Sequence, residues 1–151
     1  MLCASAITAR ITCSISRIVS PSARTHSLAV LEKLGLERKK DLPASSLTLP
    51  DRKRLEIARA LATRPQLLLL DEVMAGLRPT ECDHMVEMFR DIHRRDGLTI
   101  LLIEHVMRAV MALAQAIVVL HHGEIIARGA PAEVVRDPAV LECYLGEEAE
   151  I

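Results

Sequence analysis

The 151 residues suffice for one domain of ordinary size and not for two. Half of them are hydrophobic and 26% are charged, which excludes a disordered chain and a disulfide scaffold. One Phe (Phe89), one Tyr (Tyr144), no Trp and a formal net charge of −1 argue against a base-stacking nucleic-acid module; they supply no general pull toward phosphate backbones or anionic lipid, and no nucleic-acid partner is expected.

The charge is unevenly spread. Residues 1–40 carry seven Lys or Arg against Glu32 and Glu37, and the first acidic residue is Glu32. Residues 1–27 are rich in Ser, Thr and small residues and are punctuated by Arg10, Arg17 and Arg24. They read either as an organelle transit peptide or, the reading preferred on composition, as an irregular basic leader with no fold of its own. A short amphipathic helix is expected over 28–34, where Val30, Leu31 and Leu34 share a face and Gly35 ends the run. Residues 36–49 read as a polar connection. Pro50 then suits a helix's first turn, with Asp51 beside the positive end and Leu55, Ala58, Leu61 and Ala62 on one face up to about Thr63.

Pro65 stops that helix, and the leucine run 67–70 predicts a strand buried on both faces, as in a parallel sheet. It ends abruptly in Asp71 and Glu72. A loop over 73–78 precedes a helix opened by Pro79 and Thr80, where Thr80 and Asp83 have capping-pair spacing and Met85, Met88, Phe89 and Ile92 have core spacing. Gly97 closes it, and 98–103 is a second fully apolar strand ending in Glu104 and His105. A helix over 106–114, a hairpin of 117–120 and 124–127 turning at Gly123, and two short helices opened by Pro131 and Pro138 complete the pattern; the last carries Val140, Leu141, Tyr144 and Leu145, and Gly146 ends it before an acidic tail. The order is that of an α/β layer structure. No apolar run approaches the roughly 18 residues that a membrane helix needs.

Cys3, Cys13, Cys82 and Cys143 form no CxxC pair, so reduced thiols are the expected state. The adjacent His121 and His122 would point to opposite faces on a strand, which argues against a metal site there.

Ligands in open α/β sheets sit beyond the carboxyl ends of the strands, so the polar residues just after the two apolar strands, Asp71 and Glu72 first, are the ones to examine for chemistry. A carboxylate at a strand end can hold magnesium through water, and the next can orient a nucleophilic water. A buried strand that merely ends in acidic surface residues gives the same pattern, and His105 can equally be a surface residue. The ordered set decides between them. Four leucines with Asp71 and Glu72 resemble a Walker B motif with its catalytic glutamate; RLEIARAL (residues 54–61) precedes it, Ala75, Gly76 and Leu77 stand at the position of a D-loop, and His105 stands at that of a switch histidine. Together these resemble the C-terminal half of the nucleotide-binding subunit of an ATP-binding cassette (ABC) transporter. RLEIARAL, AGL, LLIEH and GAPAEVVRDPAVLECYLG narrow the resemblance to branched-chain amino-acid importers.

The resemblance implies an α/β fold, a partial P-loop NTPase (ABC ATPase) lacking the Walker A half. It implies a C-terminal part of the ATPase domain over 28–130 and the importers' helical extension over 131–151. It further implies ATP and Mg2+ as cofactors, a second ABC ATPase subunit and membrane permease subunits as partners, and a cytoplasmic place at the inner face of the plasma membrane. In it, Asp71 holds the magnesium, Glu72 polarises the attacking water and His105 senses the γ-phosphate. Thr48, Pro50 and Asp51 occupy the signature position, where a hydroxyl and helix-start N–H groups face the phosphate of the opposite subunit. The departures lie there and beyond. Pro50 lacks the N–H of the usual glycine, and Asp51 brings a negative charge toward an anion site that Arg52, Lys53 and Arg54 would offset. Val73, Arg78 and Val106 also depart from the usual residues, and G-x-x-x-x-G-K-[ST] is absent from the 151 residues. The expectation is a truncated transport ATPase subunit inactive alone. The alternatives are a non-catalytic module that pairs with a complete cassette and a freestanding α/β enzyme using Asp71 and Glu72.

Overall fold

A computed structural model describes residues 20–148. The expectations for residues 1–19 and for the tail after 148 lie outside the described residues. The chain divides into two compact units between Glu104 and His105.

The first unit opens with α1 (Pro21–Lys33). It begins seven residues inside the stretch expected to be irregular, because Ser20 accepts the Ala23 N–H through its hydroxyl and Pro21 occupies the first helical position. Val30 and Leu34 are buried as the spacing predicts, and Gly35 leaves the helix at φ +69°. Two short 3-10 turns (Glu37–Lys39 and Ala44–Ser46) lead to α2 (Leu49–Leu61), which starts one residue before Pro50 and ends two before Thr63. Ile57, Ala58 and Leu61 are its buried apolar residues, whereas Ala62, expected on that face, is exposed.

β1 (Leu67–Asp71) and β2 (Thr99–Ile103) pair in parallel, with Leu67 opposite Thr99 and Asp71 opposite Ile103. Between them runs α3 (Pro79–Asp96), which buries Cys82, Met85, Val86, Phe89 and Ile92 and ends at Gly97 in the left-handed region. Its opening differs from expectation. The Thr80–Asp83 pair does not form the cap; the Arg78 N–H donates to Glu81 Oε2 at 2.7 Å, since Pro79 at the first position places Glu81 within reach of the residue before it.

The strands are not buried on both faces as the leucine run predicts. Leu68 and Leu70 are buried, but Leu67 and Leu69 are 47% and 66% exposed, and Leu101 and Ile103 of β2 are 52% and 59% exposed. Strand side chains alternate, so one face of this two-stranded sheet is covered and the other is an apolar surface ending in Asp71.

The second unit contains α4 (Met107–Leu113), the antiparallel pair β3 (Ile117–His121) and β4 (Glu124–Gly129), α5 (Pro131–Val134) and α6 (Pro138–Glu148). Its turn residues, His122 and Gly123, both have positive φ (+48° and +84°), the backbone of a type I′ hairpin. Gly123→Ala is expected to destabilise the hairpin by about 1–2 kcal/mol, read by urea denaturation, because a Cβ finds open space there but not an easy backbone. Ile117, Ala127, Val134 and Val140 form one small core, with Val110 and Ala114 packed against it. Within this unit α4 and the hairpin share their core with α5 and α6. Helix α6 also runs through Gly146 rather than ending there. Val140 is buried and Leu141 is exposed, while Tyr144 and Leu145 lie outside the described side chains.

Candidate functional site

Asp71 closes β1 in register with Ile103, and one residue later Glu72 turns the chain with φ +46°. The left-handed region is unfavourable for a residue bearing a Cβ and is held here by main-chain bonds. The Glu72 N–H donates to the Ile103 carbonyl at 2.9 Å, and the Glu72 carbonyl accepts from the Ala75 N–H at 3.2 Å and from Lys53 Nζ at 3.5 Å. Both acidic residues are exposed. By the strand's alternation, Asp71 lies on the same open face as Leu67 and Leu69.

The loop after Glu72 is pinned by a residue that the sequence reading passed over. Glu104, just after β2, accepts the Met74 N–H through Oε1 at 2.8 Å, and Met74 is almost fully buried. The other carboxylate oxygen, Oε2, is buried with no hydrogen-bond partner. The only sequence signal was a carboxylate directly after an apolar strand. Gly76 turns at φ +77°, and a Cβ there would meet Leu49 Cδ2 at 3.2 Å, so Gly76 lies against the start of α2. Ala75, Gly76 and Leu77 thus sit between the Asp71–Glu72 corner and the Thr48–Asp51 segment, all within the first unit. His105 opens the second unit and is exposed.

At the signature position the geometry corrects the expectation for Asp51. Its side chain is buried rather than directed at an anion site, and its Oδ2 accepts both from Lys39 Nζ and from Thr48 Oγ1, the latter at 2.7 Å. Lys39, from the first 3-10 turn, is the ion-pair partner of Asp51, and of the three basic residues expected to offset its charge Arg54 contributes. Burial raises the Asp51 pKa, and the hydrogen bonds from Lys39 and Thr48 with the charges of Lys39 and Arg54 outweigh it, leaving the carboxyl below its ordinary value. A lowered carboxyl pKa contributes stability that is present above the unfolded-state value and lost as pH falls through the folded one. Asp51→Asn is therefore expected to destabilise the first unit by about 1–2 kcal/mol near neutral pH and to lose less stability than the parent in acid, as urea titrations at both pH values would show.

These residues fit the two implied ligands unequally. Asp71 makes no side-chain hydrogen bond or ion pair with another described residue, and it offers a hard oxygen at an open strand end. No group of three or more His, Cys, Asp or Glu among the described residues could cage a metal. One exposed carboxylate suits Mg2+, which keeps several waters and takes phosphate oxygens. The signature segment fits a phosphate poorly. Thr48 gives its proton to Asp51, Pro50 has no N–H, and the Asp51 carboxylate stands at the helix start.

Two family models match the sequence: an ABC transporter model over residues 6–75 and a branched-chain amino acid ATP-binding cassette transporter model over 124–150. The first includes most of the stretch 1–27, which the sequence reading left unmatched. The chain is 42% identical over 117 residues to the high-affinity branched-chain amino acid transport ATP-binding protein LivG of Salmonella typhimurium, covering 78% of this chain and 46% of that protein. It is 36% identical over 122 residues to the lipopolysaccharide export system ATP-binding protein LptB of Acidithiobacillus ferridurans, covering 81% of this chain and 50% of that protein. The chain spans about half the length of these curated relatives. Among solved structures, the ADP conformation of MJ1267, an ATP-binding cassette of an ABC transporter, matches at a TM-score of 0.78 and 30% identity over 85% of this chain and 52% of that one. The structure of cbiO1 from Clostridium perfringens, part of the ABC transporter complex cbiONQ, matches at 0.73 and 27% over 90% and 57%.

Proposed function

The chain belongs to the ATP-binding cassette transport ATPase family, in its branched-chain amino-acid importer branch, and on that premise we propose that it supplies the Asp–Glu portion of an importer's ATP-hydrolysing site. The observation that carries this is the Asp71–Glu72 corner: two exposed carboxylates at the carboxyl end of a parallel strand, on a backbone fixed by Ile103, Ala75 and Lys53. Asp71 would hold the magnesium, which would neutralise phosphate charge when bound. The Glu72 carboxylate accepts a proton from the attacking water, and the left-handed backbone turns it away from the strand's alternation. His105 donates a hydrogen bond to the γ-phosphate, and Ala75, Gly76 and Leu77 face a second ABC ATPase subunit. The 151 residues contain no G-x-x-x-x-G-K-[ST], so the chimera described below supplies that loop.

The solute is a branched-chain amino acid, supported by the match over 124–150 and by the relatives' names. Permease subunits are the membrane partners, and the place of action is the cytoplasmic face of the plasma membrane. No helix among the described residues is long and apolar enough to cross a membrane. One observation favours a second reading, a non-catalytic module paired with a complete cassette: the closed Thr48–Asp51–Lys39 cluster.

A chimera joining the N-terminal half of the S. typhimurium relative to residues 20–151, which keep α1 and its Ser20 cap whole, tests both. It is expected to restore uptake of labelled leucine in a bacterium lacking its own branched-chain ATP-binding subunit. A chimera that hydrolyses ATP without restoring uptake would refute the solute and permease assignment, and one that assembles without hydrolysing would favour the module.

A further inference from the structure

The second unit contains a side-chain pair that the ATPase reading does not use. Cys143 of α6 places Sγ 3.0 Å from Nδ1 of His121, the last residue of β3. Both residues are partly exposed, unlike Cys82, which is buried. Contrary to the expectation that neighbouring histidines point apart, the His122 ring lies against that of His121, with centroids 4.0 Å apart at 57°. His122 stands in the left-handed turn rather than on the strand, and this brings the rings together. A nucleophile within hydrogen-bond reach of a base, with a third group beside the base, is the arrangement that activates thiols.

We propose that Cys143 and His121 form a reactive thiol–imidazole pair and that Cys143 is a site of S-thiolation by small disulfides such as glutathione disulfide. The Cys143 proton passes to His121 Nδ1. The Sγ thiolate attacks one sulfur of the reagent, the reagent's S–S bond breaks, and a Cys143 mixed disulfide forms. The departing half leaves as a thiolate that takes the proton from His121, so one thiol is consumed and one released. The other titratable groups around the pair are His122, Glu124, which is the register partner of His121, and Glu142, which precedes Cys143 on α6. No step depends on ATP binding, so the inference stands apart from the function proposed above.

The test uses the full chain with Cys3 and Cys13 replaced by Ser, treated with glutathione disulfide at pH 7 and mapped by mass spectrometry over time. Cys143 is expected to form the mixed disulfide roughly tenfold faster than Cys82, and His121→Asn to slow it roughly tenfold, because the variant has no imidazole 3.0 Å from Sγ to take the thiol proton. Equal rates with and without His121, or Cys143 reacting no faster than Cys82, would overturn the proposal. A synthetic peptide of residues 138–148 supplies a reference independent of the variant's folding. It carries the same cysteine without His121, and it is expected to react about tenfold more slowly than Cys143 in the chain. A peptide that reacts as fast as the chain would equally overturn the pair.

Discussion

Glu72→Gln in the chimera is expected to lower ATP hydrolysis by about 10²–10⁴-fold while leaving ATP binding within twofold, since a general base contributes on that order. The substitution isolates the carboxylate. The bonds to Ile103, Ala75 and Lys53 are made by the Glu72 main chain and survive the change. Gln keeps the length and shape of the side chain and removes its negative charge together with its capacity to take a proton. Asp71→Asn provides the contrast: loss of a charged oxygen raises the magnesium concentration needed for turnover. Turnover unchanged by Glu72→Gln would reject its assignment as base and leave the exposed acidic pair as surface charge.

Phe89→Ala is expected to cost about 3–5 kcal/mol, enough to unfold much of a domain whose total stability is about 5–15 kcal/mol. Phe89 is 1% exposed, stands on the face of α3 that also buries Met85 and Ile92, and is the only Phe in the chain. Met85 and Ile92 on the same helix face are flexible or branched aliphatics, which do not refill an aromatic-sized void without strain. Leu69→Asn is the control, because a Leu 66% exposed has little burial to lose. It is expected to leave the urea midpoint nearly unchanged and to reduce self-association by interrupting the open apolar sheet face. A loss at Leu69 comparable to that at Phe89 would show that this face is covered.

What the sequence disclosed and what it withheld separate by range. The leucine run, its stop at Asp71 and Glu72, the spacing of Met85, Phe89 and Ile92, and the turn at Gly123 depend on neighbours a few residues away, and periodicity and turn chemistry made them legible. One-face burial of β1 and β2 was not, because an apolar run states what a strand tolerates and not what covers it. The Lys39–Asp51 pair spans a connection with no periodicity, so the charge at Asp51 read as a clash with an anion when it is internally neutralised. Glu104 acts through Met74, thirty residues back, and Cys143 through His121, twenty-two residues back. Contacts of that kind have no signature in spacing. For the candidate site, motif order singled out Asp71, Glu72 and the Ala75–Leu77 loop. The left-handed turn at Glu72 and the proton that Thr48 gives to Asp51 required coordinates.

Magnesium-dependent ATP hydrolysis by the chimera, measured beside the 151-residue chain alone, bears most directly on whether this chain carries the Asp–Glu portion of a transport ATPase site. The account predicts turnover by the chimera that disappears with Glu72→Gln, and none by the chain alone. A folded chimera that binds ATP without hydrolysing it, or hydrolysis by the isolated chain, would contradict it.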